Sequence, residues 1–173
     1  GPLGKPFQIP PPPAEKNGAL MAAGGIGVAP FPFLANELRK AGWRPVLLFG
    51  ARGEQDLVNQ EWFEARNLEV RTATEDGSHG VRGLVTDLLQ KALAPGSDAG
   101  MVYACGPRPM LQSVSALVNA AGVPCQLSLE SAMGCGFGVC LGCVVKVRRG
   151  DGFDYVRVCT EGPTLMSTEV LWE

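Results

Sequence analysis

Four cysteines in the last quarter of the sequence have a spacing that suits an iron-sulfur centre. Cys135, Cys140 and Cys143 form a C-x4-C-x2-C pattern, and Cys159 follows further along the chain. This is the ligand spacing of plant-type 2Fe-2S centres. The segment 134–143, called here the cysteine loop, is rich in glycine, which allows the backbone to wrap around an inorganic core with its amides facing sulfur. The best candidates to present such amides are Gly136, Gly138 and Gly142. The pattern predicts a chain that moves electrons.

Two other uses of these cysteines remain open. Four thiolates also satisfy tetrahedral zinc, and the C-x2-C pair of Cys140 and Cys143 suits it. Zinc sites usually have evenly paired ligands, whereas three of these cysteines fall in one short loop. Disulfides would need an oxidising compartment. We expect a cytoplasmic protein instead, because the sequence contains no charged and apolar leader that would direct export.

Composition limits the possible partners. The 173 residues have 46% hydrophobic and 18% charged side chains, which is ordinary for a globular protein. No apolar run is long enough to cross a bilayer. The formal net charge is -2 and the basic residues are scattered, so there is no electrostatic reason to bind nucleic acid. We expect no nucleic-acid and no membrane partner, which leaves small molecules and proteins.

Short apolar segments alternate with amphipathic segments from Gly18 to Leu129, which predicts βαβ units and an α/β fold with a parallel nucleotide-binding sheet flanked by helices. The predicted strands are Ala19–Ala23, Pro45–Gly50, Leu68–Thr72, Gly100–Ala104 and Cys125–Leu129. Two helical stripes of core residues lie between them. One comprises Val81, Leu84, Val85, Leu88, Leu89 and Ala92, and the other Met110, Leu111, Val114, Leu117, Val118 and Ala121.

A glycine-rich turn follows the first predicted strand and opens a helix. It comprises Gly24, Gly25, Gly27 and Pro30 with the residues between them. Glycines there let the backbone approach a pyrophosphate, which free amides attract. The spacing is not that of G-x-G-x-x-G, and the second strand ends in Gly50, Ala51 and Arg52 without an acidic residue to hold a ribose. A tight strand-to-helix turn without any ligand would also explain these glycines.

A second junction, Cys105, Gly106 and Pro107, ends another predicted strand at the same carboxyl edge of the sheet, where open α/β folds place ligands. Two such junctions form a crevice. Cys105 is equally well explained as a small buried hydrophobe, and we expect that for Cys125.

The alternation stops after Leu129, and the cysteine loop is followed by predicted strands at Val144–Val147 and Tyr155–Val158 around a turn at 150–152. The sequence thus predicts a linker at 1–17, with a polyproline run at 10–13, a nucleotide-binding domain at 18–129 and a small cluster domain with short β-strands at 130–173.

Taken together, these motifs resemble a known family. The glycine turn, the segment from Gly50 to Leu57, the run Cys105-Gly106-Pro107 and the cysteine loop are similar to the electron-transfer subunit of type B dihydroorotate dehydrogenase, within the ferredoxin-NADP reductase superfamily. The similarity extends over nearly the whole chain, including Leu129-Glu130 before the cysteine loop and Glu161-Gly162-Pro163 after Cys159.

The resemblance implies cofactors, site residues and a partner. NAD would bind with its pyrophosphate over Gly24, Gly25, Gly27 and Pro30, its adenosine near Gly50, Ala51 and Arg52, and its nicotinamide near Cys105, Gly106 and Pro107. The 2Fe-2S centre would bind to Cys135, Cys140, Cys143 and Cys159. Electrons from dihydroorotate, taken up in an FMN-containing catalytic subunit, would pass through the 2Fe-2S centre and FAD to NAD in pyrimidine biosynthesis. NAD is preferred over NADP on family similarity alone. No catalytic acid or base is expected.

One departure from the family concerns flavin. Family members begin with a flavin-binding β-barrel, and residues 1–7 are similar to the end of that barrel, so we expect a fragment without the barrel and with weak or no FAD binding. Three other functions remain open: a related reductase subunit of the NADPH-ferredoxin transhydrogenase or hydrogenase-linked type, a zinc-stabilised binding module, and a one-electron carrier without a nucleotide site.

Overall fold

Short apolar segments bounded by Gly or Pro form the strands of a central sheet, in a computed structural model that describes residues 3–172. The strands are β1 (Gly18–Gly24), β2 (Arg44–Ala51), β3 (Glu69–Thr74), β4 (Val81–Arg82), β5 (Ala99–Cys105), β6 (Cys125–Ser128), β7 (Val144–Arg149), β8 (Gly152–Arg157) and β9 (Thr164–Met166). The helices are α1 (Phe31–Lys40), α2 (Gln60–Glu64), α3 (Val85–Ala92) and α4 (Arg108–Ala121), with 3-10 turns at Gly25–Val28 and Glu54–Asp56.

Seven strands form the main sheet in the order β4-β3-β2-β1-β5-β6-β9. The first six are parallel, and β9 pairs with β6 in the antiparallel direction. β7 and β8 form a separate antiparallel hairpin. The predicted α/β class with a parallel sheet and a small unit of short strands is therefore confirmed.

The two faces of the sheet bury separate apolar cores, as expected when helices cover both sides of a parallel sheet. α1 covers one face with Phe31, Leu34 and Leu38. α3 and α4 cover the other face, and the hairpin packs beside α4 in the same core. The helices cover the two faces of the sheet and leave its carboxyl edge open. The glycine turn after β1 and the junction after β5 both lie at that edge.

The first helical stripe is only partly correct. Val81 pairs with Ala73 as part of β4, and Leu84 caps the start of α3 with half of its surface exposed. Gly83 separates them with φ of 148°, a backbone conformation that α-helices do not use. The helix therefore begins at Val85, and its buried residues are Val85, Leu88 and Leu89. In the second stripe Leu111, Val114 and Val118 are buried.

The segment from residue 3 to residue 17 is docked on the sheet. Phe7 stacks against Phe31 with ring centroids 6.2 Å apart and contacts Tyr103 edge-on. The indole N–H of Trp43 donates a 2.7 Å hydrogen bond to the carbonyl of Pro10. These contacts hold the proline-rich run along the face that α1 covers.

The carboxyl-terminal part of the chain is tied into the main sheet. β9 extends the sheet beyond β6, and Val147 forms an isolated bridge with Val170. Lys5 forms another bridge with Pro163. Within residues 3–172, no helix combines the length and apolar character needed to span a membrane.

Candidate functional site

The register of the sheet brings the predicted junctions to one edge. Gly24 at the end of β1 pairs with Gly50 of β2, and Ala23 pairs with Cys105 of β5. Cys105 in turn pairs with Ser128 at the end of β6. Because parallel strands end at the same edge, the loops that follow β1, β2, β5 and β6 border a common cleft.

This cleft has a volume of about 630 Å³. Six of the predicted nucleotide-binding residues line it: Gly24, Gly25, Gly50, Ala51, Arg52 and Pro107. The other four, Gly27, Pro30, Cys105 and Gly106, are not among its lining residues. The size suits a cofactor, since pockets for small molecules usually range from about 300 to 1,000 Å³.

Several glycines at or behind the cleft allow neighbouring parts of the chain to pack closely against their backbone. A β-carbon on Gly27 would overlap the carbonyl of Cys105. A β-carbon on Gly106 would come within 2.7 Å of the Met110 sulfur, and one on Gly50 within 2.7 Å of the Val85 β-carbon. Gly25 is different, because it has φ of 53° and its β-carbon would meet nothing within 4 Å. The turn therefore leaves open space above Gly25.

The glycine turn does not lead directly into the helix α1. Residues Gly25–Val28 form a 3-10 turn, and α1 begins only after Pro30, which is its N-cap. Pro30 thus fixes the start of the helix rather than the surface of the cleft. The helix predicted after the first strand is confirmed, but the 3-10 turn separates it from that strand.

The sequence interpretation missed several cleft residues. Three are carboxylates, Asp56, Glu75 and Glu130, and one is Met110 at the start of α4. Asp56 and Glu75 follow β2 and β3, and Glu130 follows β6. The general rule that strand ends meet at one edge could have indicated all three acidic residues.

The cysteine loop has a backbone that turns amides toward sulfur. The amides of Val139 and Cys140 each lie 3.4 Å from the Cys135 sulfur, and the amide of Gly142 lies 3.4 Å from the Cys140 sulfur. Positive φ values at Gly136 (76°) and Gly138 (89°) make these turns possible. Of the three glycines predicted as donors, Gly142 donates to the Cys140 sulfur and Gly138 to the Cys159 sulfur. Val139 and Cys140, which follow Gly138, are further donors.

These amides change the acidity of the thiols. Hydrogen bonds from the amides of Cys140, Phe137 and Val139 lower the pKa of Cys135 to about 6. The pKa of Cys143 is lowered by hydrogen bonds from Cys159, while the same contact raises the pKa of Cys159. A low pKa favours the thiolate, which is the form that binds metal.

The four sulfurs lie in two pairs. Cys135 is paired with Cys140, and Cys143 with Cys159. Within the part of the chain that the structure describes, no three Cys, His, Asp or Glu side chains already converge as a metal site. Cys143 and Cys159 are buried, whereas Cys140 is exposed. Four unbridged thiols with amide donors directed at them nevertheless fit the donor set of an iron-sulfur centre.

Two side chains hold the cysteine loop against the hairpin. The Arg157 guanidinium donates a 3.1 Å hydrogen bond to the Gly138 carbonyl and a 2.7 Å hydrogen bond to the Glu161 carboxylate. The same carboxylate accepts a 3.0 Å hydrogen bond from the backbone amide of Arg157. Arg157 therefore links the loop to the turn that follows Cys159.

The other two cysteines are distinct from this group. Cys125 is fully buried in β6, and burial raises its pKa. It is the small buried hydrophobe that the sequence predicts. Cys105 is 7% exposed at the end of β5, and burial raises its pKa as well.

Comparison with known proteins agrees with both parts of the site. The family described as oxidoreductase NAD-binding domain matches residues 21–116. The iron-sulfur cluster binding domain of dihydroorotate dehydrogenase B matches residues 130–171.

Individual relatives match over nearly the whole chain. The electron transfer subunit of dihydroorotate dehydrogenase B (NAD(+)) from Caldanaerobacter subterraneus subsp. tengcongensis is 40% identical over 99% of this chain and 65% of its own length. The subunit of that name from Desulforamulus reducens is 39% identical over 100% of this chain and 64% of its own length. This chain therefore spans somewhat less than two thirds of these relatives.

A solved structure gives the same result for the fold. A chain of an NADH-dependent reduced ferredoxin-NADP oxidoreductase, described for flavin-based electron bifurcation, superposes with a TM-score of 0.80 and 30% identity over 99% of this chain and 59% of its own. The match over residues 21–116 covers more than half of this sequence. The chain therefore belongs to the family of oxidoreductase NAD-binding domains, joined here to an iron-sulfur cluster binding domain of the dihydroorotate dehydrogenase B type.

Proposed function

We propose that this chain transfers electrons between NAD(H) and a 2Fe-2S centre as part of an electron-transfer subunit. The observation that carries the proposal is the direct connection of two sites. β6 ends at Ser128 on the edge of the cleft, Glu130 lines that cleft, and the chain then enters the cysteine loop. A nucleotide in the cleft would thus lie beside the cluster domain.

The nucleotide half of the proposal assigns roles to ten residues. Gly24 and Gly25 offer open backbone to a pyrophosphate, and Arg52 borders the adenosine side. Pro107 borders the nicotinamide side, and Cys105 lies behind it at the end of β5. Gly50 and Ala51 form the wall of the cleft beside Arg52. Gly27 and Gly106 lie behind the cleft and allow close packing there, and Pro30 fixes the start of α1.

The cluster half assigns Cys135, Cys140, Cys143 and Cys159 as ligands. Hydrogen bonds from backbone amides favour the thiolate forms of Cys135 and Cys143, as a ligand requires. The two sulfur pairs would have to approach each other, and the glycines of the loop allow that movement. We propose a division into a linker at 1–17, a nucleotide domain at 18–129 and a cluster domain at 130–173, in which the linker docks on the nucleotide domain and β9 of the cluster domain extends the main sheet.

The chemistry comes from the bound groups: a nicotinamide exchanges two electrons as hydride, FAD splits the pair, and a 2Fe-2S centre carries one electron at a time. The residues of this chain bind and position these groups. The cleft holds the dinucleotide at the sheet edge, and the amides around sulfur adjust the potential of the centre. No side chain is required as a catalytic acid or base.

For the whole protein we propose oxidation of dihydroorotate in an FMN-containing catalytic subunit, with this chain delivering the electrons to NAD for pyrimidine biosynthesis. The names of the relatives support this choice of partner. A cytoplasmic location belongs to the same proposal, because six free cysteines suit a reducing compartment.

The test is anaerobic addition of NADH to purified protein that carries its cluster, with FAD added because this chain is expected to bind it weakly at best. We expect the visible absorbance of the cluster to bleach as NADH reduces it, and to return when the catalytic subunit is added with orotate, which accepts the electrons and is reduced to dihydroorotate. A cluster that is reduced by dithionite but never by NADH would contradict the nucleotide half of the proposal. A colourless protein with one zinc would contradict the cluster half.

A second candidate is a subunit of an NADH-dependent reduced ferredoxin-NADP oxidoreductase, which the structural superposition favours. The two candidates differ in the partner that supplies electrons. Electron supply from dihydroorotate with the FMN subunit supports the first, and supply from reduced ferredoxin supports the second.

A further inference from the structure

The charged side chains of the cleft are unevenly placed. Arg52, Asp56 and Glu75 follow β2 or β3 on one side of the glycine turn. Glu130 follows β6 on the other side. Among the described residues that line the cleft, Glu130 is the single charged side chain on the β5–β6 side.

Glu130 borders the cleft and also a neighbouring groove, which Arg108 and Lys146 line as well. It is exposed, and within residues 3–172 it has no ion-pair partner. Its charge also acts on Cys105 at the end of β5, where burial raises the pKa of the thiol, a hydrogen bond with Ser128 lowers it and the Glu130 carboxylate raises it. An unpaired carboxylate in this position stabilises a positively charged group that binds on the β5–β6 side of the cleft.

The position of Glu130 identifies which end of a dinucleotide it would meet. With the pyrophosphate over the glycine turn after β1, the two nucleosides extend toward β2–β3 and toward β5–β6. The redox-active ring belongs on the β5–β6 side, because the chain continues from there into the cysteine loop. The adenosine then lies on the β2–β3 side, beside Arg52 and Glu75.

We infer that Glu130 makes the cleft bind oxidised nicotinamide dinucleotide in preference to the reduced form. The oxidised ring carries a positive charge and the reduced ring is neutral, so a nearby carboxylate stabilises the first and not the second. This extends the proposed function, because it requires the nicotinamide to lie in this cleft. A protein that produces NADH gains from the preference, since the reduced product is held less tightly than the oxidised substrate.

The test compares binding of NAD⁺ and NADH to the cluster-containing protein and to its Glu130→Gln variant, which keeps the shape of the side chain and removes the charge. Calorimetry gives both dissociation constants. We expect the preference for NAD⁺ over NADH to fall about three- to tenfold in the variant, as for one charge acting across a partly solvated site. Most of the change should be weaker binding of NAD⁺.

Glu75→Gln is the matched control, because it removes a carboxylate from the adenosine side of the same cleft. It should change both affinities by the same factor and leave their ratio at the wild-type value. An unchanged ratio in Glu130→Gln, with both nucleotides still bound, would overturn the inference and leave the proposed function intact. Absence of binding to the wild-type protein would overturn both. An equal change of ratio in the two variants would also overturn the role assigned to Glu130.

Discussion

Gly27 lies so close to the carbonyl of Cys105 that no side chain fits between the two residues. Gly27 belongs to the 3-10 turn after β1, and Cys105 ends the neighbouring strand β5. The contact therefore sets how closely the glycine turn approaches the second junction of the cleft. It also explains why Gly27 is buried while Gly25 stands in open space.

Gly27→Ala should damage both the fold and the cleft. The new methyl group must displace backbone on β5, and such overpacking costs about 1–3 kcal/mol. For a chain of this size the thermal midpoint should fall by about 3–10 °C. NADH affinity should fall as well, because the turn moves into the cleft. Differential scanning calorimetry and an NADH titration measure the two effects.

Gly152→Ala is the control for this change. Its β-carbon would meet its nearest neighbour, the Arg149 carbonyl, at an ordinary 3.8 Å. Its thermal midpoint and NADH affinity should stay close to the wild-type values. Equal effects of the two substitutions would contradict the close packing of Gly27.

Gln126→Leu should release the amino-terminal segment. The buried amide side chain of Gln126 accepts a 2.8 Å hydrogen bond from the backbone N–H of Gln8 and donates another of 2.8 Å to its carbonyl. Tyr103 can still donate to that carbonyl, but the Gln8 N–H is left without its partner. The loss should cost about 1–3 kcal/mol. It should also speed cleavage of the proline-rich segment in limited proteolysis.

The matched control is Gln112→Leu on α4, where no hydrogen bond of the side chain is seen within residues 3–172. We expect its stability to stay within about 0.5 kcal/mol of wild type. Unchanged proteolysis of Gln126→Leu would mean that the other contacts of the segment, those of Phe7, Pro10 and Lys5, are sufficient to hold it.

The turn after Cys159 should lose stability in acid. Hydrogen bonds from the backbone amide and the guanidinium of Arg157 lower the pKa of Glu161 below its ordinary value of 4.5. A carboxyl group with a lowered pKa in the folded state stabilises the fold when ionised. Its contribution is complete above pH 4.5, and it is lost as the pH falls through the lower folded-state value. Thermal midpoints measured from pH 6 down to pH 3 should therefore fall less steeply in Glu161→Gln than in wild type.

Arg157→Met should give an intermediate dependence on pH. It removes the guanidinium but keeps the backbone amide that Glu161 accepts from. If both variants retain the full acid sensitivity of the wild type, Glu161 is not its source.

The cysteine loop should tolerate no β-branched residue at Gly138. Its φ of 89° strains any L-residue, and a β-carbon there would lie 3.0 Å from the Thr160 side chain. Gly138→Val should thus move the amides away from sulfur and reduce the iron content and visible absorbance of the purified protein. Gly150→Val has a comparable φ of 54° in the β7–β8 turn with open space around it. It should keep its iron, and loss of iron in both variants would point to general unfolding.

Local sequence patterns predicted the features that depend on residues close together in the sequence. The apolar runs of β1, β2 and β5 and the glycine turn follow from neighbouring residues, so the sheet and its edge could be foreseen. The cysteine loop could be foreseen for the same reason, because three of the four predicted ligand cysteines lie within this one short segment.

Features that depend on distant partners could not be foreseen. Gln126 meets Gln8 across most of the chain, and nothing near either residue indicates the contact. β9 has only three residues, and it is a strand because β6 offers it an edge. β4 interrupts a helical pattern for a similar reason, since Val81 pairs with Ala73 of β3.

The most direct measurement is an EPR spectrum of anaerobically purified protein before and after reduction with dithionite, together with iron, sulfide and zinc analysis. We expect no signal before reduction and the signal of a reduced 2Fe-2S centre afterwards, with iron and sulfide in equal amounts. Silence in both spectra, with zinc present and iron absent, would contradict an electron-transfer role for Cys135, Cys140, Cys143 and Cys159.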